Sequence, residues 1–107
     1  MVAPWGVPAS GRAGVPVSAG TANPAELLRR SGRGDETAFA ELYDATARSL
    51  YGLVLSVARD VALAEELTQE VYLHVWRHSA RFDPDRGSAL GWIMKIAHRA
   101  AVERVRD

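Results

Sequence analysis

The chain has 107 residues and no cysteine, which leaves room for one small core and excludes a disulfide framework, a thiolate metal site and a cysteine nucleophile. Lys plus Arg and Asp plus Glu each number 13, so a nucleic-acid site must come from local charge segregation and not from a basic total. Apolar residues make up 48%, enough for a globular interior, but no apolar run approaches the length of a membrane span, so no membrane insertion is expected.

Met1 to about Asn23 is rich in Pro, Gly, Ala and Val, and its only charge is Arg12. It holds neither the two-residue period of a strand nor the roughly 3.6-residue period of a helix. The charged start and apolar block of a signal peptide are missing too. A disordered arm over residues 1–23 is expected, with Trp5 either a passive tail residue or a small anchor for a partner. From Pro24 to Asp107 the pattern is all helix. Asn23 followed by Pro24 is a cap with proline in the first turn. That first helix is short, about Ala25 to Arg30, and Gly32 and Gly34 end it. Asp35 caps a long second helix to about Arg59. Its positions Phe39, Leu42, Tyr43, Leu50, Leu53, Val54 and Val57 keep helical spacing. Gly52 inside it costs up to about 1 kcal/mol relative to alanine, for which a close helix crossing is one reason.

A break near Asp60 opens the third helix, about Ala62 to Ser79. Ala64, Leu67, Val71 and Val75 fall on one narrow apolar side. Glu66, Gln69, Glu70 and Arg77 fall on the other, with Leu73 among them. A leucine ringed by charged and amide groups reads either as a docking surface or as an ordinary solvated face with one stray apolar residue. Trp76 lies off the main stripe and is expected to cover the base of the following loop. Phe82-Asp83-Pro84-Asp85-Arg86-Gly87 is that loop.

Ser88 caps a fourth helix that runs to the end of the chain. Leu90, Ile93, Ala97 and Ala100 define its expected buried side, and Trp92 near that side is read as core filling. Lys95, Arg99 and Arg106 project within about forty degrees of one another on a different side. Val102 lies beside this stripe, His98 a little further round, and Glu103 interrupts it. The ridge suits phosphates and bases, or merely keeps an exposed face soluble. The helices are too short to be secure alone, so the fold class expected is all-α, a compact bundle of three long helices plus a short N-terminal one.

The run Glu66-Leu67-Thr68-Gln69-Glu70-Val71-Tyr72-Leu73, continued by Val75-Trp76, resembles the signature helix of bacterial sigma factors, above all the extracytoplasmic-function (ECF) group. Downstream, Trp92-Ile93, Ile96-Ala97-His98-Arg99, Glu103 and Arg106 are similar to a second family block. Upstream, Ala38-Phe39 and Leu42-Tyr43 resemble the first conserved helix. The resemblance covers about Pro24 to Asp107 and implies the helical domain called region 2. It implies that Glu66, Gln69, Glu70 and Leu73 dock on the clamp helices of the RNA polymerase β′ subunit; helical geometry extends that patch to Arg77. It further implies that the loop and fourth helix hold the non-template strand of the minus-ten promoter element, trapping an unstacked base. Phe82 is then a stacking surface or, equally, a buried loop anchor. Arg81 and Arg86 reach phosphates, and Lys95, His98, Arg99 and Arg106 track the strand.

Four departures from the family pattern matter. Arg99 stands where asparagine is common and His98 where arginine is common, which alters the expected promoter preference. Glu66 replaces the usual aspartate and keeps its charge. The second helical domain that reads the minus-thirty-five element is expected to be absent, as in a trimmed domain. The resemblance also implies a cytoplasmic protein and an anti-sigma partner. Two other readings stay open: a helix-turn-helix reader of duplex DNA, for which the loop from Ser79 to Ser88 is long, and a helical interaction module that binds no DNA. No enzyme is expected, since no nucleophile constellation appears. His74 and His78 form an i, i+4 pair, but no carboxylate completes a site, so neither metal nor cofactor is expected.

Overall fold

The computed structural model describes residues 23–107. The arm expected up to Asn23, with Arg12 and Trp5, lies outside the described residues except for Asn23 itself. The described residues form α1 (Pro24–Ser31), α2 (Glu36–Ala58), α3 (Val61–His78) and α4 (Ala89–Arg106), with two 3-10 turns, Ser79–Arg81 and Pro84–Arg86, between α3 and α4. No strand occurs among them, as the all-α expectation requires.

Each helix starts on a side-chain cap that satisfies an otherwise orphaned backbone N–H. Asn23 Oδ1 accepts from the Glu26 N–H at 2.9 Å. Asp35 Oδ1 does so from Ala38 at 3.0 Å, Asp60 Oδ1 from Leu63 at 2.9 Å and Ser88 Oγ from Gly91 at 2.9 Å. The Arg30 guanidinium sits 3.1 Å from the Asp35 carboxylate and links the end of α1 to the start of α2. The Ala38 N–H and Arg30 together hold the Asp35 carboxyl below its ordinary pKa. At Arg59 the chain turns out of α2 in the left-handed conformation, φ 57° and ψ 30°. Gly32 is needed for a different reason. A Cβ there would meet the Ala80 backbone at 3.0 Å, so α1 rests directly on the turn that follows α3.

α2 is the hub and packs against α1, α3 and α4. Leu28, Leu42, Leu50, Val54, Val75, Ile93 and Ala97 have no exposed surface. Truncating a leucine in such a setting costs about 2–5 kcal/mol. Tyr72 is fully buried with its ring against Tyr43 and Phe39, the centroids 4.5 and 6.3 Å away. Its hydroxyl lies 2.6 Å from Thr46 Oγ1, which itself donates to the Leu42 carbonyl at 2.8 Å. Thr46 has one proton to give, so Tyr72 is the donor of this pair. Burial drives the Tyr72 pKa upward and keeps the phenol protonated.

Several expected details differ. Gly52 faces open space: a methyl group at its Cα would meet nothing within 4 Å, so no close helix crossing explains it. Trp76, expected at the base of the loop, meets Phe39 of α2 edge-on at 5.0 Å. The buried side of α4 is Ala89, Ile93, Ala97 and Ala101. Leu90 is 40% exposed and Ala100 only half-buried, contrary to the expected set. The direction of the face is the same. What changes is which residue at each end of the helix lies under a neighbour.

Candidate functional site

Two solvent-facing surfaces carry the chemistry, one on α3 and one on α4 with its preceding loop. On α3 the core takes Ala64, Leu67, Thr68, Val71, Tyr72 and Val75. That leaves the opposite side of the helix to Glu66, Gln69, Glu70 and Leu73. These four, with Ala62 and Glu65, line a shallow hollow of about 420 Å³. Leu73 is half-buried and stands outside the hydrophobic core. With Ala62 it supplies the apolar part of a depression otherwise lined by carboxylates and one amide. Arg77 is exposed one turn further on and does not line the hollow.

The acidic face has a partner that the α3 pattern does not reveal. Arg104 of α4 reaches across, and its Nη1 donates to Glu66 Oε2 at 2.8 Å. Its Nη2 donates to both Glu70 oxygens, at 2.6 and 2.8 Å. The two carboxylates hold the Arg104 guanidinium above its ordinary pKa. The sequence does carry a signal for Arg104, because by helical angle it falls in the middle of the apolar side of α4, one turn beyond Ala101 and two beyond Ala97. A charge there must meet a charge on whatever packs against it.

The second surface begins with the loop. Asp83 Oδ1 accepts from the Asp85 N–H at 2.9 Å, and Pro84 fixes the turn between them. Gly87 has φ 143°, a backbone region that side chains rarely adopt. This turn brings Phe82 back onto α4, where its ring meets Trp92 at 5.7 Å with the planes 58° apart. Both rings are half-buried. Around them lies a hollow of about 410 Å³ lined by Arg81, Phe82, Asp83, Arg86, Gly87, Ser88, Gly91, Trp92 and Lys95. Its floor is aromatic and its rim carries three cations and one carboxylate. Phe82 is thus both packed against the core and open to the hollow, and Trp92, read from sequence as core filling, is in the same position.

The remaining residues expected along the strand lie outside that hollow. Arg99 lines a groove of about 260 Å³ between α3 and α4, together with Glu70, Val71, His74, Ile96, Ala100 and Glu103. His98 and Arg106 are exposed elsewhere on α4. Lys95, Arg99 and Arg106 make no ion pair with another described residue. Glu70 of α3 and Arg99 of α4 therefore line one groove.

The His74 and His78 rings lie 4.3 Å apart between centroids, tilted 50° to each other. Partial burial, then the neighbouring His78, Arg81 and Arg77, lower the His74 pKa. Those guanidinium groups repel a cation. No group of three or more metal-ligating side chains occurs among the described residues, and no described helix is long and apolar enough to cross a membrane.

Residues 42–107 match the Sigma-70 region 2 family. The chain is 55% identical over 80 residues to the ECF RNA polymerase sigma factor SigK of Mycobacterium tuberculosis, a match covering 75% of this chain and 43% of that protein. Identity to the ECF RNA polymerase sigma factor SigK of Mycolicibacterium vanbaalenii is 52% over 81 residues, covering 76% and 41%. For the SigK of Mycobacterium ulcerans it is 51% over 80 residues, covering 75% and 43%. The chain thus spans less than half the length of these relatives. With the signature helix on α3, the second block on α4 and the match over most of the described residues, the chain belongs to the Sigma-70 region 2 family, in its ECF branch.

Proposed function

We propose that this chain is the transcription-initiation module of an ECF sigma factor. Residues 24–107 act as region 2 and bind two partners at once. The α3 hollow with Glu66, Gln69, Glu70 and Leu73 docks on the clamp helices of the RNA polymerase β′ subunit, with Arg77 at its edge. The physics is charge complementarity around a small apolar anchor, which sets orientation and partner choice more than raw affinity. The loop and α4 take the non-template strand of the minus-ten element. This is binding work and not covalent catalysis. Unstacking a base costs a few kcal/mol, and stacking on an aromatic surface returns about 1–3 kcal/mol.

The observation that carries this reading is the hollow at the head of α4. Phe82 and Trp92 make its apolar floor, and Arg81, Arg86 and Lys95 rim it. Such a site offers stacking area and phosphate contacts together. Lys95 continues into Arg99 one turn on, Arg106 extends the cationic track to the end of the helix, and His98 follows the strand beside it. A helix-turn-helix reading fits less well, because two 3-10 turns separate α3 from α4 where that motif has a short turn. An anti-sigma partner that covers the two faces, in the cytoplasm, would keep such a module inactive.

The test is a pull-down with purified β′ clamp helices, followed by binding of a non-template-strand oligonucleotide. Capture by both supports the proposal. Binding to duplex alone favours the helix-turn-helix reading, and binding to protein alone favours a module without DNA contact.

A further inference from the structure

Arg104 reaches from α4 onto the acidic face of α3, and its geometry shows how that face is held. Glu66 and Glu70 are like charges one helical turn apart, a spacing that is destabilising when nothing lies between them. The Arg104 guanidinium lies between them, spending one nitrogen on Glu66 and the other on both oxygens of Glu70. Of the three side chains Arg104 is the least exposed, at 34%, against 61% for Glu66 and 48% for Glu70. The cation therefore sits beneath and the carboxylates stand outside it. A lid or competitor would have the reverse order.

We propose that Arg104 is a positioning residue of the docking face, holding Glu66 and Glu70 in the orientation in which they meet a basic partner surface. The inference rests on the docking role proposed above for α3. A carboxylate has about four lone-pair sites, so Glu70 keeps acceptor capacity on its outer side while Arg104 occupies the inner one. The rigid fork of the guanidinium matches this two-carboxylate geometry, which a lysine would hold only as a point charge. The bridge also ties the last turn of α4 to the middle of α3. The exposed ion pairs contribute little to folding, so their loss leaves the bundle standing and shows up in binding.

The experiment titrates core RNA polymerase with five forms of the chain: unaltered, Arg104→Gln, Arg104→Lys, Glu66→Gln with Glu70→Gln, and Arg104→Gln combined with both glutamate changes. Thermal melts accompany each titration. Arg104→Gln is expected to weaken binding by about fivefold with an unchanged melt. Arg104→Lys restores part of the loss. In the background with both glutamates replaced, Arg104→Gln has no further effect, because there is nothing left to position. Unchanged or tighter binding of Arg104→Gln overturns the proposal, and so does an equal loss in both backgrounds. If the Glu66→Gln, Glu70→Gln chain binds core polymerase as well as the unaltered one, the docking role of α3 itself falls, and the role of Arg104 with it.

Discussion

The outer faces of α3 and α4 differ in how firmly their charges are committed. Glu66 and Glu70 on α3 are fixed by Arg104. Lys95, Arg99 and Arg106 on α4 have no ion pair with another described residue. A braced anionic face is pre-organised, and pre-organisation reduces the entropy lost when a protein surface of fixed shape docks. Uncommitted cations on long side chains suit a nucleic-acid strand, whose phosphates arrive in several geometries and whose counterion release supplies the affinity. The two faces share a core and each lends a residue, Glu70 and Arg99, to one groove. Their contrast is nevertheless strong enough to be broken one side at a time.

The greatest loss is expected on the braced side. Leu73→Asp places a carboxylate in the apolar part of the α3 hollow and should weaken core-polymerase binding by about thirtyfold or more, as loss of an interface anchor does. Because Leu73 stands outside the core, the melting temperature should stay within about 2 °C. A large drop in melting temperature would instead make Leu73 a structural residue. Phe82→Ala comes next. It removes half of the aromatic floor and should weaken binding of a non-template oligonucleotide by about tenfold, within the range found for base stacking. Polymerase binding should not change. If both fall together, the two faces are not separate.

A smaller and more diagnostic effect belongs to the cations. Replacing Lys95 and Arg99 with alanine should flatten the dependence of log affinity on log salt by about 1.4, at roughly 0.7 per phosphate contact on a single strand. An unchanged slope would remove the α4 ridge from the binding surface. The slightest effect is a pH dependence at the edge of α3. The His74 pKa is lowered in the fold, so the unfolded chain takes up its proton first. The stability this histidine contributes is whole above the ordinary imidazole range and is lost as pH falls towards its lowered value. Melts between about pH 7.5 and 5.5, which bracket the ordinary imidazole pKa, should show a slight decline that His74→Gln removes.

Much of this is legible in the sequence because local signals and the global pattern agree. Asn23, Asp35 and Ser88 are the expected caps, and each accepts the bond its position demands. The α3 stripe of Ala64, Leu67, Val71 and Val75 is buried as its period requires. What the sequence hides is contact between elements. A helical projection gives the direction of a face but not where along it a neighbour ends, which is why it puts Leu90 and Ala100 inside in place of Ala89 and Ala101. It cannot say that Trp76 meets Phe39 or that Phe82 meets Trp92, since these pairings depend on how α2 and the loop cross their neighbours. The bridge from Arg104 to Glu66 and Glu70 spans two helices: the place of Arg104 on the apolar side of α4 signals that it has a partner, but not which one. Of the residues expected at the DNA face, Arg81, Phe82, Arg86 and Lys95 gather at one hollow, while His98, Arg99 and Arg106 do not.

If docking and strand capture use different surfaces of one small bundle, the two partners must be able to bind together. The decisive titration adds a labelled non-template minus-ten oligonucleotide to the chain with and without a saturating β′ clamp-helix fragment. A ternary complex is expected, with oligonucleotide affinity equal or tighter when the fragment is bound. Displacement of the oligonucleotide by the fragment would mean that one surface serves both partners, and the separation of roles between α3 and α4 would fail.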